Sequence, residues 1–97
     1  MTKKNNGSRK PSRDTLLEFP CRFPIKAMGR ASEGFQAIVT HIVRGHAELW
    51  PGESVRCNES RNGNYLAVTL VVRATSQEQL DAIYQDLTDS PDVLMAL

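Results

Sequence analysis

Two histidines, two cysteines and an unevenly placed set of cations are the side chains of this 97-residue chain whose types permit chemistry. His41 and His46 share one amphipathic segment, but a spacing of five positions turns them about 140° from each other around a helix axis. A shared metal needs the i, i+4 spacing that puts two imidazoles on one face, so no metal centre is expected. His46 falls on the apolar stripe in what reads as the last helical turn. Packing and a favourable interaction with the helix C-terminus are its expected roles there. Cys21 and Cys57 show no C-x-x-C spacing and no histidine beside them in sequence, so both read as small buried hydrophobes. Glycine-rich nucleotide and phosphate loops, a nucleophile elbow and paired carboxylates do not occur in the sequence. Neither catalysis nor a bound cofactor is expected, and electrostatic recognition is the chemistry that remains.

The net charge of +1 conceals a division along the chain. Residues 1 to 14 carry +4, whereas residues 15 to 97 carry −3. The basic stretch has no apolar side chain after Met1, so burial cannot offset the entropy of ordering it. It reads as a disordered leader, 1–14, and residues 1 to 13 are expected to be dispensable for folding. Residues 15–97 are one domain's worth of chain, long enough to fold without disulfides or metals. No apolar signal-peptide core opens the chain, and no run approaches the roughly 18 apolar residues needed to span a bilayer. A cytoplasmic protein without membrane contact is expected.

The elements that must position the cations follow from periodicity. Leu16-Leu17-Glu18-Phe19-Pro20 reads as an extended lead-in that docks on the core. Cys21 to Met28 alternates, with Cys21, Phe23, Ile25 and Ala27 on one face and Arg22, Pro24, Lys26 and Met28 on the other. Pro24 donates no hydrogen bond, which predicts a bulge or an unpaired position in this first strand. Gly29 is expected to break the strand and Ser32 to cap a helix from about Glu33 to His46. That helix carries Phe35, Ile38, Val39, Ile42 and Val43 on one stripe. Ser54 to Ser60 is a short polar strand suited to a sheet edge. Asn62-Gly63 supplies a tight hairpin turn into the longest β-branched run of the chain, which continues to Thr75. Leu66, Val68, Leu70, Val72 and Ala74 form its core face, and Tyr65, Ala67, Thr69, Val71 and Arg73 its other face. Ser76 and Gln79 make a capping box for a second helix over Gln77 to Thr88. Val93 to Leu97 is the last strand.

The order β-α-β-β-α-β predicts an α+β ferredoxin-like sandwich, an antiparallel four-stranded sheet with two helices on one face. In it, Cys21 and Cys57 sit on strands separated by a third, too far apart for a disulfide. The outward set becomes Arg22, Lys26, Arg56, Tyr65 and Arg73, so four of the domain's seven basic residues are expected on the open face. Helix two carries the acidic excess on the opposite side. This face is the candidate surface for an acidic protein partner or a small anionic effector. A secondary candidate anion site is the expected start of helix one, at Gly29, Arg30 and Ser32. RNA-recognition motifs share the element order, but they stack bases on aromatics of the two central strands. Here the third strand offers Tyr65 alone and the first only Phe23, on its inward face, so no specific nucleic-acid binding is expected.

L-L-E-F-P at 16 to 20, P-I-K-A-M-G at 24 to 29, G-N-Y at 63 to 65 and A-T-S-Q-E-Q-L-D-A-I-Y-Q-D-L at 74 to 87 resemble the small bacterial YbeD family. The resemblance covers about residues 14 to 97. It implies an ACT-like fold and a regulatory role linked to lipoate metabolism, and it transfers no catalytic or ligand residue. Because ACT-like domains commonly pair, it also implies a weak homodimer, through an edge or helix contact, since like charges oppose stacking of the open faces. The expected function is a small non-catalytic regulatory or interaction module. The alternative is an accessory protein that reaches nucleic acid or a membrane surface through its basic leader.

Overall fold

The alternating run expected at the centre of the chain forms β3, Tyr65–Ala74, and the other elements assemble around it. The computed structural model describes residues 17–53 and 55–97, so the basic leader lies outside the described residues. In chain order the elements are β1 (Cys21–Arg30), α1 (Phe35–Arg44), β2 (Arg56–Glu59), β3, α2 (Gln77–Asp89) and β4 (Met95–Ala96). The four strands form one antiparallel sheet in the order β2-β3-β1-β4. Leu17 and Phe19 of the lead-in pack against the core.

The core lies between the sheet and the helices. Val68, Leu70, Val72 and Ala74 from β3 and Ile25 and Ala27 from β1 are fully buried beneath Phe35, Val39 and Val43 of α1 and Leu80, Ile83 and Leu87 of α2. All of them sit at the positions that two-residue and helical periodicity assign to the inner faces. The hairpin turns where the sequence predicts, with Gly63 at φ 77°, a conformation that costs side chains with a Cβ, but Ser60 N–H donates to the Tyr65 carbonyl at 2.9 Å, so the loop holds residues 61 to 64 rather than a tight pair.

Several boundaries differ from the expected ones, and the two around Gly29 share one cause. β1 does not stop at Gly29 but continues to Arg30, paired with Tyr65, and Ala31 N–H still donates to the Asn64 carbonyl at 2.9 Å. Gly29 is instead a site of close approach: a Cβ there would lie 2.4 Å from the Asp92 carbonyl oxygen and 2.4 Å from the Phe35 ring. The longer strand delays the helix, so α1 begins at Phe35 with Gly34 as its N-cap, and Ser32 does not cap it. At the other end Gly45 closes the helix and leaves His46 beyond it.

Pro24 resolves as an unpaired position without a bulge. It is in register with Val71 on one side. Lys26 N–H donates to the Leu97 carbonyl of the β4 segment at 3.1 Å, so the nitrogen of Pro24, two residues earlier, faces the same side beyond Leu97. No described residue pairs there, and the missing donor costs no ladder bond. Residues 48–50, between α1 and β2, also extend the sheet: Leu49 bridges Val72, and Trp50 N–H donates to the Val71 carbonyl at 2.8 Å.

The start of α2 ties the molecule together. Ser76 Oγ accepts from Gln79 N–H at 3.0 Å, while Gln79 Oε1 accepts from Thr75 N–H at 2.8 Å. Gln79 Nε2 also donates to the His46 carbonyl at 2.9 Å, fastening the end of α1 to the start of α2. One turn from the other end, the Tyr84 hydroxyl donates to the Leu97 carbonyl oxygen at 2.8 Å. Burial raises the pKa of this phenol above its ordinary value. A raised folded-state pKa gives stability that is complete at neutral pH and is lost as pH climbs through the ordinary tyrosine range, near 10, and beyond. Urea unfolding across that range is expected to show a smaller alkaline loss for Tyr84→Phe than for the parent chain. Equal losses would remove Tyr84 from the account.

Candidate functional site

The face of the sheet turned away from the helices is assembled in rows by the strand register. Arg30 stands beside Tyr65, Met28 beside Ala67, Lys26 beside Thr69, Pro24 beside Val71 and Arg22 beside Arg73. On the far side of β3, Arg56 continues the Lys26–Thr69 row and Asn58 the Met28–Ala67 row. β4 adds Met95 beside Met28. Leu97, hydrogen-bonded to Lys26, follows it. Since directly opposite residues share a face, each predicted cation, Arg22, Lys26, Arg56 and Arg73, falls on the open side together with Tyr65.

Two features change the electrostatics of this surface. Arg22 is ion-paired: its Nε lies 3.0 Å from Glu53 Oε2, with a second contact from the same guanidinium. Glu53 follows the Pro51-Gly52 turn and lies 31 positions away in sequence, which no local pattern connects to Arg22. Arg30 joins the face, its guanidinium 5.9 Å from the centre of the Tyr65 ring in a cation–π geometry. Continuing the alternation through Gly29 would have placed it there. The open face therefore gathers five of the seven domain cations, of which one is neutralised by Glu53. Lys26 and Arg56, flanking Thr69, make no ion pair among the described residues.

The secondary candidate keeps Arg30 and Ser32 on one depression but not Gly29. Gly29 is buried, Arg30 turns to Tyr65, and Ser32 sits on an exposed turn before the helix. The depression nearby, about 180 Å³, is lined by Arg30, Ser32, Phe35, Pro91, Asp92 and Leu94, so an acidic residue stands on the wall where an anion would approach. Arg73 also borders a second, shallow cleft of about 520 Å³ with Arg44, His46, Glu48, Thr75 and Gln79. His46 is not spent on the end of its own helix as expected. Its Nε2 lies 2.6 Å from the Asp86 carboxylate of α2. The cysteines stay apart, Cys21 beside Ala74 and Cys57 beside Val68, six positions along β3 or roughly 20 Å. Cys57 is not buried as expected: it is exposed on the edge strand, where its Sγ lies 3.0 Å from Gln36 Oε1.

The helical side carries the opposite charge. Glu78, Asp81, Asp86 and Asp89 are exposed on α2, with Asp81 and Asp89 accepting from Gln77 and Gln85 at 3.0 Å. The domain is thus cationic on the uncovered sheet and anionic on the outer helix. No helix among the described residues is long and apolar enough to cross a membrane.

Comparison with known proteins places this geometry among relatives. A family described as a protein of unknown function, DUF493, matches residues 14–97. The chain is 44% identical to a UPF0250 protein of Nitrosomonas europaea over 84 residues, 87% of this chain and 97% of that one. It is 39% identical to a UPF0250 protein of Ralstonia nicotianae over 97 residues, the full length of both. Among solved structures, a protein from H. pylori superposes with TM-score 0.69 at 12% identity, covering 100% of this chain and 98% of that one. The ACT domain from GTP pyrophosphokinase of Chlorobium tepidum gives TM-score 0.62 at 12% identity, covering 78% and 94%. The fold is ACT-like, as the sequence resemblance implied.

Proposed function

The chain belongs to the DUF493 (UPF0250) family, the family that the sequence resemblance pointed to, and on that premise we propose that it is a small non-catalytic interaction module that binds an acidic protein partner through its open sheet face. The observation that carries this reading is the gathering of five cations around Tyr65, Ala67, Thr69 and Val71 on one side of a domain whose outer helix is acidic. Solvation of a bare sheet does not call for exposed apolar residues between the charges, and Tyr65 and Met95 are 40% and 51% exposed. A domain of this fold is part of a GTP pyrophosphokinase in C. tepidum, where it stands alongside other parts of the same protein. Lipoate metabolism, implied by the family resemblance, is the proposed setting, and a small anionic effector on the same cations is compatible with it. A regulatory role and a cytoplasmic location complete the proposal.

Association with a defined anion chain, poly-L-glutamate, measured at rising salt, tests the electrostatic part. Replacing Lys26 and Arg56 together by alanine is expected to slow association by about tenfold at low salt and to flatten its salt dependence, because rim charges act mainly on encounter. Both side chains are exposed and without ion pairs among the described residues, so thermal stability should stay nearly unchanged. An identical rate and salt response in the double variant would reduce the face to a solvated surface.

A further inference from the structure

Resting on the reading of the open face as a docking surface, we propose that its occupant is an acidic amphipathic helix of a partner protein, laid along β3. The floor of the face is the outer row of β3, where Ala67, Thr69 and Val71 are half-buried and Tyr65 is exposed. These side chains have low relief, and their span from Tyr65 to Val71 is about 20 Å, the length of roughly 13 helical residues. Lys26 and Arg30 of β1 stand along one flank and Arg56 of β2 on the other. Lys26 and Arg30 are four strand positions apart, about 13 Å, and carboxylates seven residues apart on one face of a helix, about 10.5 Å, come within reach of their long side chains. An occupant with an apolar stripe and acidic margins therefore meets both the floor and its rims.

A strand is the other regular segment that binds sheets, and the edges disfavour it. Strand addition needs a row of free backbone donors and acceptors. The unpaired half of β1 is interrupted by Pro24, which has no N–H. β4 is 2 residues long, and β2 is 4 residues long with Arg56 and Glu59 at its ends. A helix satisfies its own backbone and needs no edge. The acidic α2 of a second copy does not fit either, because Leu80, Ile83 and Leu87, its large aliphatic stripe, are already buried in its own core and its outer face is polar. Covering the second face with a helix would also give the three-layer arrangement in which both sides of the sheet are dry.

The test uses a synthetic peptide of about 18 residues with a leucine stripe flanked by glutamates, about 27 Å when helical. Its controls are a peptide of the same composition with the stripe scrambled, and poly-L-glutamate. The striped peptide is expected to bind at least about tenfold more tightly than the scrambled one, a difference of about 1.4 kcal/mol. Ala67→Arg is the decisive variant, with Thr69→Arg as a second in case the first misfolds. Each adds a cation to the face while obstructing the floor, so binding of the striped peptide should weaken about fivefold or more although the electrostatic attraction has grown. Equal binding of striped and scrambled peptides, or tighter binding by the Arg variants, overturns the helix. If poly-L-glutamate still binds in that case, the docking face itself stands. If no acidic probe binds, both readings fall together.

Discussion

Replacing Gly29 by alanine is expected to destabilise the domain by about 2 to 3 kcal/mol, the upper range for forcing a methyl group into a packed interior. The added Cβ would sit 2.4 Å from both the Asp92 carbonyl oxygen and the Phe35 ring, contacts at which something must move. Neither neighbour yields easily. Phe35 is 1% exposed and packed at the first position of α1, so shifting its ring disturbs the helix against the core. The Asp92 carbonyl belongs to the segment that leads into β4, where Leu94 N–H donates to the Met28 carbonyl at 2.8 Å. The substitution therefore pushes on the start of the helix and the last strand at once. For a domain of this size each kcal/mol corresponds to roughly 4 to 8 °C in melting temperature, so a loss of about 10 °C or more is expected. Gly34→Ala is the control, since a Cβ there meets nothing within 4 Å. Thermal unfolding of Gly29→Ala at the parent temperature would show that the contact relaxes without cost.

Replacing Pro24 by threonine is expected to change assembly more than stability. Pro24 is exposed and faces a stretch of β1 that β4 does not cover among the described residues, so the fold loses nothing by the exchange. The new N–H, however, gives position 24 an outward donor beside the outward groups of Arg22, on the stretch of β1 beyond the Lys26–Leu97 pair. Such an edge pairs readily with a second copy. Sedimentation over a range of concentrations is expected to show the variant shifted to dimers or larger species relative to the parent chain. A variant that sediments like the parent at every concentration would show that Pro24 does not guard this edge. We propose weak pairing of the parent itself, through an edge or helix contact, as the family resemblance implies, and the same measurement tests it.

The sequence by itself determined the inner and outer face of β1, β3 and both helices, because burial selects alternate residues in a strand and every third or fourth in a helix. Those local periods carried the element order, the core and the placement of Arg22, Lys26, Arg56, Tyr65 and Arg73 on one side. The Ser76–Gln79 cap and the Gly63 turn were legible for the same reason, each being a bond or a dihedral within a few residues. Only the tertiary structure decided the rest. Gly29 looks like a strand breaker until Phe35 and Asp92 arrive above it and make the absence of a Cβ a packing requirement. Once the strand runs on, Arg30 leaves the expected helix terminus and enters the open face. The pairs Arg22–Glu53 and His46–Asp86 join residues 31 and 40 positions apart. Pro24 is tolerated because described pairing on its far side ends at Leu97. In each case the deciding partner is brought by chain folding from a distant segment, and no local period encodes a contact of that kind.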